Sequence, residues 1–144
     1  MKQRCIYCGS RAGTKDHIIP KSLLKDLELF SYEELSVPTN NTAPCCRACN
    51  LAKHHKLIVP TTKNMRTAYM NTPTIYIKSV IKWIVSNKNI LRKFFEDKDN
   101  RAFYNVELTQ INAVISLYDS KYYKIKRSRK ASNSGFNREY ITLK

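Results

Sequence analysis

The chain has 144 residues, the length of one ordinary domain, and carries a formal net charge of +15, from 26 Lys and Arg against 11 Asp and Glu. A hydrophobic content of 42% excludes a disordered composition, and only three glycines with no glycine-rich phosphate motif exclude a nucleotide-binding loop. No apolar run approaches the roughly 20 residues that span a bilayer, and the polar start "MKQRCIYCGS" lacks the apolar segment of a secretory signal. The expectation is a cytoplasmic, intracellular protein without a membrane partner. So large a positive excess suggests a polyanionic partner, most simply nucleic acid. A genome biased toward lysine codons would raise the lysine content, but it would not empty a long span of acids. From Leu35 to Phe95 there is no Asp or Glu, while Arg47, Lys53, Lys56, Lys63, Arg66, Lys78, Lys82 and Lys88 all fall there.

Residues 1–60 hold every cysteine and every histidine, and residues 61–144 hold neither type. This segregation predicts a metal-dependent site module followed by a mainly helical, basic extension. "CIYCGSRAG" reads as a tight Cys-x2-Cys turn with Gly9 after it. "KDHIIP" reads as a short strand ended by Pro20. "SLLKDLELFSYEEL" places Leu23, Leu24, Leu27 and Phe30 at helical spacing. "VPTNNTAP" reads as a loop. "CCRACNLAKHHKLI" is expected to start a helix near Cys49 or Asn50 that ends before Pro60. Further on, Thr72 and Pro73 fit an N-cap and first helical residue. Ile77, Val80, Ile81 and Ile84 then form an apolar stripe, "SNKN" interrupts it, and Ile90, Leu91, Phe94 and Phe95 begin another short helix. Leu108, Ile111, Val114, Ile115, Tyr118 and Tyr122 give the cleanest helical period in the chain. The tail opens on a basic run from Lys121 to Lys130.

Cys5 and Cys8 make one Cys-x2-Cys pair, and Cys46 and Cys49 make a second. In a chain without a signal peptide such cysteines indicate a metal before disulfides. Two such turns facing each other supply four thiolates for one structural Zn²⁺. The 37 residues between the pairs must fold as an insertion. Cys45 reads as a small buried residue, and spacing leaves it open as a ligand in place of Cys46.

Asp16, His17, Asn41, Asn50 and His54 lie between and just after these pairs. With the cysteine frame, the pieces "CIYC", "KDHIIPKS", "NTAPCCRACN" and "LAK" resemble the HNH endonucleases of the ββα-metal class, in their zinc-stapled branch. The resemblance covers residues 5 to about 56. It implies an α+β fold with a small ββα-metal module, and a metal-dependent endonuclease that hydrolyses DNA to leave 5′-phosphate and 3′-hydroxyl ends. By the same resemblance His17 is the general base that activates water, and Asn41 orients its ring. Asp16 and Asn50 are ligands of a catalytic divalent ion, Asn50 standing where many members carry a histidine. Lys53 matches a lysine frequent in the family. His54, four residues after Asn50, is expected one helical turn on, as a third ligand or a contact to the scissile phosphate. His55 is the weaker candidate, and Asn40 reads as a turn residue.

The chemistry agrees with these types. Phosphodiester hydrolysis needs a base for the water and charge neutralisation at the leaving oxygen. An imidazole suits the first task near neutrality. Carboxylate and amide oxygens suit Mg²⁺ or Mn²⁺. On a twisted strand end, Asp16 and His17 would diverge to serve metal and water separately. Double-stranded DNA is the expected partner, held by Arg47, Lys53, Lys56, Arg66 and the tail residues Lys124, Lys126, Arg127, Arg129 and Lys130; a homodimer is compatible with this. Two other functions fit parts of the sequence. A non-catalytic zinc-dependent nucleic-acid-binding module would need no Asp16–His17 pair, and a nuclease toxin acting on RNA or DNA would differ in substrate.

Overall fold

The structure, a computed structural model, describes residues 3–31 and 35–119. The basic tail residues Lys124, Lys126, Arg127, Arg129 and Lys130, and Tyr122, lie outside the described residues. Among the described residues the fold is a small α+β arrangement of a two-stranded sheet and seven helices.

The chain enters through a narrow knuckle. An antiparallel bridge joins Arg4 to Arg11, and Gly9 N–H donates to Cys5 O at 2.9 Å to close the turn. Gly9 has φ +81°, which a side chain would oppose. The strand β1 (Thr14–His17) then pairs antiparallel with β2 (Thr42–Cys45), in the register Thr14↔Cys45, Lys15↔Pro44, Asp16↔Ala43 and His17↔Thr42. Pro44 lacks an N–H and is tolerated because the sheet has only edges. Its carbonyl accepts from Ile6 N–H at 3.1 Å, which ties the knuckle to β2.

Between the strands lies α1 (Lys21–Phe30), which buries Leu23 and Leu27 one turn apart. Pro20 stands at its N-cap with a fixed φ of −57°, and extended Ser31 ends it. After β2 comes α2 (Arg47–Lys53), which starts earlier than the composition suggests. Its N-cap is Cys46, whose sulfur accepts from Cys49 N–H. It also stops sooner, because His54 takes φ +53°, outside the helical region.

The remaining helices are α3 (Thr62–Arg66), α4 (Thr74–Ser86), α5 (Lys88–Phe94), α6 (Lys98–Tyr104) and α7 (Leu108–Asp119). Helix α4 buries Ile77, Val80, Ile81, Trp83 and Ile84, the expected stripe. Its N-cap is Pro73, not Thr72, whose hydroxyl instead donates to Ile6 O at 2.8 Å. Asn87 sits at the α4–α5 junction, as the break in "SNKN" predicts. Asp97 caps α6 by accepting from Asp99 N–H, and left-handed Asn105 ends it.

One apolar core runs through the sheet module and the helices beyond it. Ile6, Ile18, Ile19, Leu23, Leu27 and Ala43 are buried in the same cluster as Ile77, Trp83, Leu91, Phe95, Ile111 and Val114. Among the described residues, side chains before and after Pro60 thus share one core. Polar bonds cross the same boundary: Leu57 N–H donates to Tyr104 O, and Trp83 Nε1 donates to Ser36 O. Leu91 is fully buried on α5, which packs against both α1 and α7. Leu91→Ala is expected to cost about 2–5 kcal/mol, seen as a lower urea midpoint with an unchanged slope. No helix among the described residues is long and apolar enough to cross a membrane.

Candidate metal centre and adjoining cavity

The knuckle and the start of α2 bring Cys5, Cys8, Cys46 and Cys49 together. Their sulfurs all lie within 4.8 Å of one another. Around a tetrahedral zinc with bonds of about 2.3 Å, sulfurs stand about 3.8 Å apart. Cys8 and Cys46 are separated by 3.7 Å. The four side chains thus fit a structural metal such as zinc. Among the described residues they are the one group of three or more His, Cys, Asp or Glu side chains whose ligand atoms close in this way. Both halves use their backbone alike: Tyr7 N–H donates to Cys5 sulfur and Cys49 N–H donates to Cys46 sulfur, each at 3.4 Å.

The thiols differ electrically. Burial works to raise Cys5, but backbone N–H donors and the neighbouring thiol outweigh it and hold it down at about 6. Backbone donation from Cys49 lowers Cys46 as well. Burial raises Cys49. The question left open by spacing is answered by Cys45, which stands outside the cluster. It is fully buried at the end of β2, its S–H donates to Cys46 O, and burial pushes its thiol up to about 12.

A few residues away, the end of β1 meets the end of α2 at an open cavity of about 250 Å³. Its lining includes Asp16, His17, Asn50, His54 and His55, with Lys15 and Lys21 exposed at the rim. Asn50 Nδ2 donates to Thr14 Oγ1 at 3.1 Å and to Lys15 O at 3.3 Å, so the amide is fixed against β1. His54 borders the same cavity, but not by the expected route. Helix α2 has ended, and His54 arrives through its left-handed φ and not as the next turn of a helix. His55, the weaker candidate, also lines the cavity and stacks on Phe103 at 3.9 Å between ring centres.

Lys53, expected against a DNA phosphate from its place in a basic span, has a side chain only 3% exposed. It ion-pairs with Asp16 at 3.0 Å and also donates to the carbonyls of His17 and Ile18. Burial lowers Lys53 from the ordinary lysine range, with Asp16 working against that shift. Asp16 borders the same cavity as Asn50, but its carboxylate is already engaged. Both its oxygens are taken by Lys53, and Tyr7 hydroxyl donates to one of them at 2.6 Å. The alternation of β1 explains this: Asp16 faces inward and is buried, whereas Lys15 and His17 face the other way.

Asn41 acts on the chain following His17 and not on the imidazole. Its carbonyl accepts from Ile18 N–H at 2.8 Å. Its side chain accepts from Ile19 N–H and donates to Ile19 O. Asn40, with φ +54°, makes the turn beside it. Arg47, Lys56 and Arg66 are exposed. The residues that sequence reasoning missed are Tyr7, Thr14, Lys15 and Lys21. Lys15 and Lys21 flank the "DHIIP" stretch and were visible as basic neighbours; nothing local marks Tyr7 or Thr14 as partners of Asp16 and Asn50.

Comparison with family models, curated proteins and solved structures finds no match to this chain.

Proposed function

We propose that this protein is an endonuclease of the HNH type that hydrolyses DNA phosphodiesters, with a structural Zn²⁺ held by Cys5, Cys8, Cys46 and Cys49. The observation that carries the reading is the cavity shared by His17, Asn50 and His54 beside the four-cysteine group. His17 accepts the proton of the attacking water. Lys15 and Lys21 at the rim take the phosphate oxygens as the substrate settles. Asn50 and His54 line the cavity and would hold a divalent cation, Asp16 being engaged by Lys53. Mg²⁺ or Mn²⁺ bound there would neutralise charge developing on the leaving oxygen.

The exposed cations Arg47, Lys56 and Arg66 extend the positive surface along the duplex. Binding is expected to weaken steeply with salt. Arg47→Ala or Lys56→Ala should lower the slope of log affinity against log salt by about one each, measured by titration of labelled duplex.

The engaged carboxylate of Asp16 favours a second reading, a zinc-dependent DNA-binding module without catalysis. Supercoiled plasmid separates the two. Wild type should convert it to nicked or linear forms with Mg²⁺ or Mn²⁺ and not with EDTA, and His17→Ala should not. Equal conversion by both proteins, or none by either, ends the catalytic reading.

A further inference from the structure

Lys53 is the last residue of α2, and its ammonium is enclosed by four oxygens. They are Asp16 Oδ2 at 3.0 Å, Asp16 Oδ1 at 3.2 Å, His17 O at 2.8 Å and Ile18 O at 3.1 Å. A carboxylate already neutralised by a buried cation offers little to a second one, and an ammonium so enclosed cannot reach a phosphate.

We propose that Asp16 and Lys53 form a clamp that positions His17, and that neither is a ligand of a catalytic cation or a contact to DNA. The proposal rests on the reading of His17 as the base. The strand ladder ends at His17↔Thr42. Beyond it, the chain that carries the imidazole is held by two devices only among the bonds described above. Asn41 pairs with Ile18 and Ile19 from the approach to β2, and Lys53 takes the carbonyls of His17 and Ile18 from α2. Because Cys46 and Cys49 pin the other end of the same seven-residue helix, the cysteine centre sets the imidazole through α2. Tyr7 hydroxyl on Asp16 adds a second tie from the knuckle. The clamp thus makes the position of His17 depend on both cysteine pairs.

The test compares wild type, Asp16→Asn, Lys53→Met and the double variant. The double variant leaves no unpaired buried charge, so it keeps the fold where a single variant fails. Four readouts are taken: kcat and KM on plasmid, Mn²⁺ half-saturation, salt slope, and the His17 ring resonances by NMR. Each single variant should lower kcat about tenfold with KM and Mn²⁺ half-saturation within about twofold, and the double should lose no more than a single. The His17 ring signals should move in every variant, while those of His55, stacked on Phe103, stay in place. A rise of about tenfold in Mn²⁺ half-saturation in Asp16→Asn alone would make Asp16 a ligand. A salt slope reduced by about one in Lys53→Met would make Lys53 a phosphate contact. Unmoved His17 signals would also overturn the clamp. Failure of wild type to cut DNA would remove the nuclease reading alone, since the ring signals and Mn²⁺ binding judge the clamp without activity.

Discussion

Cys49→Ser is expected to leave the protein without bound zinc and without a folded knuckle. The four-sulfur group joins residues that the chain separates by 37 positions, and little else holds the knuckle there. Besides the burial of Ile6 in the core, its other ties are modest: the Ile6–Pro44 backbone bond, Thr72 hydroxyl to Ile6 O, Asn71 Nδ2 to Tyr7 O, and Tyr7 hydroxyl to Asp16. Each such bond contributes on the order of 1 kcal/mol net. A structural zinc contributes on the order of 10–16 kcal/mol, comparable to the whole stability of a domain at about 5–15 kcal/mol. Losing one of four thiolates therefore outweighs the remaining ties. Elemental analysis should give about one zinc per wild-type chain and close to none for Cys49→Ser, whose melting midpoint should match wild type stripped by a strong chelator. Cys45→Ala is the control, since Cys45 lies outside the cluster in the core. It should keep its zinc and lose about 1 kcal/mol of packing. Wild type free of metal, or Cys49→Ser that retains it, would refute the assignment.

The same centre explains which parts of the fold were legible beforehand. The cysteine pairs are local signals, because Cys-x2-Cys forms a metal-binding turn wherever it lies. The stripes of α1, α4 and α7 were legible because burial on one face imposes a helical period. The start of α2 was not. Its N-cap is a thiolate-type acceptor, Cys46, and not the Ser, Thr, Asp or Asn that usually signals one. Thr72 looked like a cap because its residue type is right, but its hydroxyl is used by Ile6, far away in sequence. Helices α3 and α6 are short and polar and give no period to read. The larger loss concerns Asp16 and Lys53. Composition places Lys53 in an acid-free, basic span, where the natural inference is solvent and phosphate. Only the packing of α2 on β1 reveals that its partner is the one acid buried in the strand.

His17→Ala is expected to lower the rate of plasmid nicking by about 10²–10⁴-fold while the affinity for duplex changes little. The residue is half-buried at the strand end, and its backbone is held on three counts: the Thr42 pairing, the Lys53 bond to its carbonyl, and the Asn41 bonds just beyond. An imidazole on so fixed a backbone loses little freedom when water and phosphate enter the cavity, which favours reaction geometry over binding. Removing the ring takes away the proton acceptor and leaves Lys15, Lys21, Arg47 and Lys56 to hold the DNA. The split should therefore appear in kcat and not in KM. Asn41→Ala provides the contrast. It leaves the imidazole and the main-chain bond to Ile18 in place but frees Ile19, so its loss of rate should be smaller and accompanied by reduced stability, because Ile19 N–H and O lose their side-chain partners. A His17→Ala protein that binds duplex about tenfold more weakly but nicks at the wild-type rate when saturated would assign the imidazole to binding and leave the reaction without a base.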